Sequence, residues 1–188
     1  VVPDSAYAVR VRYWATSFAQ EPSPWSAWLN FTTGLFKAAD WGGAVWLLGD
    51  NSTQHPDVAS QLRMSFMADM EGLERAQLFV GTRGYLKCWI NGKPVSDHEQ
   101  GHTTTFEVRT LYDAFLVHPL LQQGPNALGC AVARGWYGEG GHAGTMINGN
   151  YQRSLIMKLS LHYSNGSRAQ VVTSGTDERW STASGPYL

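Results

Sequence analysis

The sequence predicts an all-β protein: a jelly-roll β-sandwich of two antiparallel sheets, preceded by a strand hairpin. Three observations carry this. Short runs alternating apolar and polar residues recur along the chain between Gly and Asn turns. No long stretch repeats its apolar residues at helical spacing. The dipeptide Asn-Gly, the strongest short hairpin signal, stands at Asn91-Gly92 and again at Asn165-Gly166.

Taken in order, residues 7–14 read Y-A-V-R-V-R-Y-W, a period-two strand, and a Pro-rich turn leads to a second strand at 28–32. Two strands alone are marginal. Residues 1–36 are therefore expected to be the C-terminal hairpin of a preceding, truncated fibronectin-like domain, with the jelly roll over 37–188. Within the latter, an apolar segment at 41–49 precedes a polar loop, and strands are expected at 62–67, 76–80 and 84–91. The last of these sets Leu86, Cys88 and Ile90 on one face. Further strands are expected at 103–112, 127–133, 151–163 (ambiguous between strand and helix), 168–173 and from Trp180 onward. A single helical turn fits 114–121.

Residues 124–144 organise the chain. An apolar strand, 127–133, ends at Gly135 and delivers Trp136 and Tyr137 into a loop made mostly of glycine. Flat rings beside an open, polar hollow suit a sugar. The sugar-binding candidates are Trp136, Tyr137, Asn91, Asp97 and His142, although Trp136 could equally plug the core and Asn91 could simply make its turn. Calcium is a hard cation needing six or more oxygens, and Asn91 and Asp97 are its candidate donors. His98 and His102 have the i, i+4 spacing of a metal pair but sit among turn residues with no third ligand. No other cofactor is implied.

Composition narrows the field. A formal charge of -1 with no long basic run argues against nucleic acid or an anionic membrane as partner. No apolar stretch approaches a bilayer span, and the V-V-P-D-S start has neither n-region nor h-region of a signal peptide. Eight tryptophans and twenty glycines fit a β-rich binding domain. The two cysteines, Cys88 and Cys130, each lie in an apolar run and are expected as buried thiols, with a bridge between neighbouring strands as the lesser alternative. The acids Asp50, Asp57, Asp97, Asp113 and Glu139 are scattered, so no glycosidase pair can be drawn, and the fragment alone is not expected to catalyse.

The chain also carries an ordered series of short motifs. They are F-x-T-G-L from Phe31, W-x-x-x-x-W at Trp41 and Trp46, L-R-x-x-F from Leu62, A-x-L-x-V from Ala76 and G-Y at Gly84. I-N-G-K-x-V from Ile90, G-x-T from Gly101, G-x-N-x-L-G from Gly124, G-W-Y from Gly135 and S-G-P from Ser184 follow. In this order the set resembles the N-terminal β-sandwich domain of bacterial α-L-rhamnosidases. The resemblance implies an accessory domain of a glycoside hydrolase whose catalytic helical barrel lies downstream. That barrel would be one partner and a rhamnose-containing carbohydrate another, held in some members with calcium. The chain departs from the family at Arg134, at 115–118 and at 100–103, where acidic or turn residues are usual. The alternatives are a structural domain packed on the barrel without ligand, and a small metal-dependent enzyme built on His98 and His102.

Overall fold

The computed structural model describes residues 1–15, 21–48, 59–98, 101–106, 108–133, 135–138, 153–175 and 179–185. The chain divides into two compact units, Val1–Asp40 and Trp41–Leu188, against an expected boundary between 36 and 37.

The first unit is an antiparallel ribbon of β1 (Ala6–Val9) and β2 (Leu29–Thr32), with Tyr7 opposite Phe31 and Val9 opposite Leu29. Regular pairing stops sooner than the alternation predicts. Pro22 and Pro24 cannot donate to a ladder, and serine hydroxyls continue it instead. The Val11 and Tyr13 amides donate to Oγ of Ser26 and Ser23 at 2.9 and 3.0 Å, and the amides of those serines donate back to the Val11 and Tyr13 carbonyls. On one face, Arg10 lies 4.5 Å from the ring centroids of both Trp25 and Trp28, and Arg12 lies 4.6 Å from Trp25 and 5.1 Å from Trp14. Guanidinium and indole thus alternate in one stack. The Asp40 carboxylate ends the unit by accepting from the Phe36 and Lys37 amides.

The second unit contains β3 (Leu47–Leu48), β4 (Ser60–Ala68), β5 (Leu73–Arg83), β6 (Tyr85–Ile90), β7 (Lys93–Pro94) and β8 (Tyr112–Leu116). β9 (Gly124–Ala133), β10 (Ser154–Tyr163), β11 (Arg168–Thr173) and β12 (Trp180–Ser184) complete it. One sheet runs β11-β10-β5-β8, with β3 on the start of β10, and the other runs β12-β4-β9-β6-β7. All pairings among the described residues are antiparallel, and the expected sandwich of two antiparallel sheets is present.

Period-two burial fixes which residues meet between the sheets. Leu62, Met64 and Phe66 of β4, Leu86, Cys88 and Ile90 of β6, and Leu128, Cys130 and Val132 of β9 form one wall. Ala76, Leu78 and Val80 of β5 face them with Leu155, Met157, Leu159 and Leu161 of β10. The segment at 151–163 is thus a strand from Ser154, buried too completely to read as amphipathic in sequence. The expected strand at 103–112 begins only at Tyr112, because the Val108 and Arg109 amides turn back to the Thr105 carbonyl. The helical turn near 114–121 is a 3-10 turn, His118–Leu120.

One further correction concerns Cys88 and Cys130. They stand directly opposite each other across β6 and β9 and form a disulfide, not two thiols. Only the non-local pairing of those strands brings them together. At one end of the sandwich, buried Arg153 donates from Nε to Oγ of Ser60 at 2.9 Å, joining the lead into β10 to β4.

Candidate functional site

The strand that organises the chain lies in the middle of its sheet, held by β4 on one side and β6 on the other. It ends against the β5–β6 corner. Gly135 has φ of 54°, and a Cβ there would stand 3.2 Å from the Tyr85 amide nitrogen and 3.3 Å from the Gly84 carbonyl carbon. Only glycine accepts both the left-handed backbone and that approach. The chain then makes one helical turn, α1 (Gly135–Gly138), where glycine content alone had predicted loop. This turn carries Trp136, whose side chain lies outside the described residues, and Tyr137.

Tyr137 sits in a cluster at the rim. Its ring meets Phe106 edge to face at 4.9 Å and 67°. The Arg83 guanidinium, at the end of β5, lies 5.7 Å from the Tyr137 centroid and 4.7 Å from that of Trp46. A cation between two rings contributes roughly 0.5–2 kcal/mol, more as water is excluded. Arg83 Nε is buried without a hydrogen-bond partner among the described residues. The cluster therefore offers ring edges and a cationic donor at one place. Sequence reasoning missed Arg83, Trp46 and Phe106, since they come from three distant segments and only the fold assembles them.

The other candidates do not join it. Asn91 has φ of 51° and Gly92 78°, the left-handed pair of a tight hairpin turn between β6 and β7. Asn91 Nδ2 donates to the Leu120 carbonyl and to Oδ1 of Asn126 at 3.0 and 2.8 Å, and its Oδ1 accepts from the Ala127 amide at 3.0 Å. That carboxamide is spent on holding the turn to the start of β9. Asp97 is exposed. His142 lies outside the described residues, as do Asp50, Asp57 and Glu139.

With Asn91 turned inward, the two proposed calcium donors do not make an oxygen cage, and no three His, Cys, Asp or Glu among the described residues could hold a metal ion. His102 Nε2 instead pairs with Asp113 Oδ1 at 2.9 Å, tying the loop before β8 to β8 itself. His98 is exposed and its amide bonds to Ser96 Oγ. Among the described residues no helix is long and apolar enough to cross a membrane.

The chain is similar to known proteins over most of its length. Residues 71–188 match the α-L-rhamnosidase N-terminal domain family. An α-L-rhamnosidase of Streptomyces avermitilis is 32% identical over 153 residues, covering 80% of this chain but 14% of that protein. The crystal structure of native α-L-rhamnosidase from Aspergillus terreus superposes with a TM-score of 0.80 at 28% identity, over 99% of this chain and 22% of its own. A Streptomyces avermitilis α-L-rhamnosidase complexed with L-rhamnose gives 0.58 at 29% identity, over 69% of this chain and 12% of its own. This chain thus corresponds to less than a quarter of each of these relatives. With the family matched across more than half its residues and a sandwich common to the solved relatives, the chain belongs to the α-L-rhamnosidase N-terminal domain family.

Proposed function

We propose that this chain is a non-catalytic, carbohydrate-binding domain of an α-L-rhamnosidase-like glycoside hydrolase. Its role is to hold sugar at the rim where Tyr137 leaves β9. The observation that carries this reading is the convergence of Trp46, Arg83, Phe106 and Tyr137 at the end of the organising strand. Ring edges supply apolar contact for the C–H side of a pyranose, and Arg83 supplies donors for its hydroxyls.

Hydrolysis needs two carboxyl groups flanking the bond. Of the described candidates, Asp113 is paired to His102 and Asp97 stands exposed. Bond cleavage is therefore assigned to the rest of a longer parent chain, as are its substrates. L-rhamnose, bound in one of the solved relatives, is the first ligand to test. The binding proposed here needs no ion. Calcium, with Asp97 as its exposed candidate donor, is tested alongside.

L-rhamnose titrated into the chain, with and without calcium, should shift the amide resonances of Gly135 and Tyr137 with a Kd in the millimolar range, roughly 4 kcal/mol. Tyr137→Ala should abolish the response. Unchanged spectra at tens of millimolar would remove the binding claim. They would leave the second reading, a scaffold on the catalytic barrel, which the packing of Tyr137 against Phe106 favours.

A further inference from the structure

The sheet β12-β4-β9-β6-β7 has an outward face that the rim does not use. Along its central strand, beyond Pro125, that face shows Ala127, Gly129, Ala131 and Ala133, the alternate partners of the core residues Leu128, Cys130 and Val132. The flanking strands are different. Register places Arg63, Gly129 and Trp89 in one row across the sheet, and Gln61, Ala131 and Lys87 in the next. Small residues in the middle and long ones on both sides make a trough of about 470 Å³, within the size of small-molecule sites. With strands spaced at about 4.8 Å, the Arg63 and Trp89 backbones stand roughly 10 Å apart over the glycine.

Gly129 is not required by the fold. Its φ is not positive, and a Cβ built on it would meet nothing nearer than the Leu62 carbonyl oxygen at 4.0 Å. Glycine inside a strand weakens it and marks a bulge, a tight bend or a close approach to the backbone. The register of β9 with β4 and β6 runs through Gly129 without a shift. Any larger residue here would fill the trough and leave the core untouched.

The strands of this sheet carry charge of one sign. β4, β6, β7, β9 and β12 contain no Asp or Glu at all. Arg63 is exposed and Lys87 half-buried, and neither has an ion pair among the described residues. Trp89, half-buried, lines the same trough.

We propose that this trough is a second sugar-binding site, selective for a pyranose bearing an anionic group. The ring lies on the Gly129 floor against Trp89, and its carboxylate or sulfate accepts from Arg63. A charge-assisted contact of that kind separates the anionic from the neutral ring. The proposal rests on the reading of the domain as sugar-binding but uses none of the rim residues.

The test titrates D-glucuronate, D-glucose 6-sulfate and D-glucose into the chain while following the Trp89 indole N–H and the Gly129 amide. An anionic sugar should bind about tenfold or more tightly than glucose and weaken as salt is raised. The glucuronate and sulfate arms tell which anion is preferred. Arg63→Gln should erase the preference, and Gly129→Leu should remove binding of all three. Both substitutions lie on the outer face and should keep the thermal transition, which is measured in parallel. If Arg63→Gln fails to fold, Arg63→Met and the salt dependence of the unaltered chain carry the same test. Equal affinity for all three sugars, no response at tens of millimolar, or binding that survives Gly129→Leu would overturn the proposal. So would a neighbouring domain of the parent seated over Trp89. An L-rhamnose response at Gly135 and Tyr137 that persists through these failures would sink the trough alone, whereas loss of both responses would sink sugar binding altogether.

Discussion

The two sheets of the sandwich share one core but treat their outward faces in opposite ways. On β5 the outward residues Gln77, Phe79 and Gly81 are buried, and on β10 Ser160 is, while Ile156, Lys158 and His162 are half-buried. Phe79 is fully buried, Gln77 and Ser160 nearly so, and Tyr112 lies edge-on to Phe79 at 6.2 Å and to Trp41 at 5.4 Å. Gln170 reaches over to the Gly42 carbonyl, and Ser174 clips the segment before β3 by accepting from and donating to Val45 and Met157. On β4, β9 and β6 the outward residues are Arg63, Gly129 and Trp89 around an open trough. A strand buried on both faces is a structural element. A strand with a clean face of small residues between long polar ones is free to take on another task.

If this contrast is right, equivalent truncations on the two faces should differ most. Phe79→Ala should cost about 3–5 kcal/mol, because a ring fully enclosed leaves a cavity. Trp89→Ala, on a face open to water, should cost under about 1 kcal/mol. Urea unfolding of both variants decides it, and equal losses would mean the second face is also packed.

The next effect tests what compensates the open sheet. Cys88–Cys130 joins two of its strands over a sequence separation of 42 residues. Its reduction, or the double change to Ala, should lower stability by about 2–4 kcal/mol. Thiol titration of the denatured chain should find free cysteines only after reductant. Titratable thiols without it would restore the pair of buried thiols.

The smallest effect sits at the end of β10. Partial burial, followed by the Asp69 carboxylate, raises the Tyr163 phenol above its ordinary value of 10.0, and its hydroxyl donates to the Asp69 carbonyl. The fold favours the protonated form. That contribution is therefore complete below pH 10 and is lost as pH climbs through the raised value. Tyr163→Phe should flatten the decline of Tm above pH 10 and leave neutral pH nearly unchanged.

Much of the sandwich was legible because alternation is local. Leu86, Cys88 and Ile90 fall on the core face as their spacing requires, and Asn91-Gly92 turns as that dipeptide does. What stayed hidden depends on which strands become neighbours. Cys88 meets Cys130 only once β6 lies beside β9, and Arg83 joins Trp46 and Tyr137 only once three segments reach one rim. Ala127, Gly129 and Ala131 were visible in sequence as small residues, but their purpose needs Arg63 and Trp89 on either side. Asn91 taught the opposite lesson. A residue chosen as a ligand for its oxygen had already been claimed by its own turn.

The most direct measurement is one amide chemical-shift map of the chain with L-rhamnose and D-glucuronate added in turn. The account predicts two separate footprints, Gly135 and Tyr137 for the first and Gly129 and Trp89 for the second, with Phe79 and its neighbours silent in both. A single shared footprint, or shifts confined to the covered face, would contradict it.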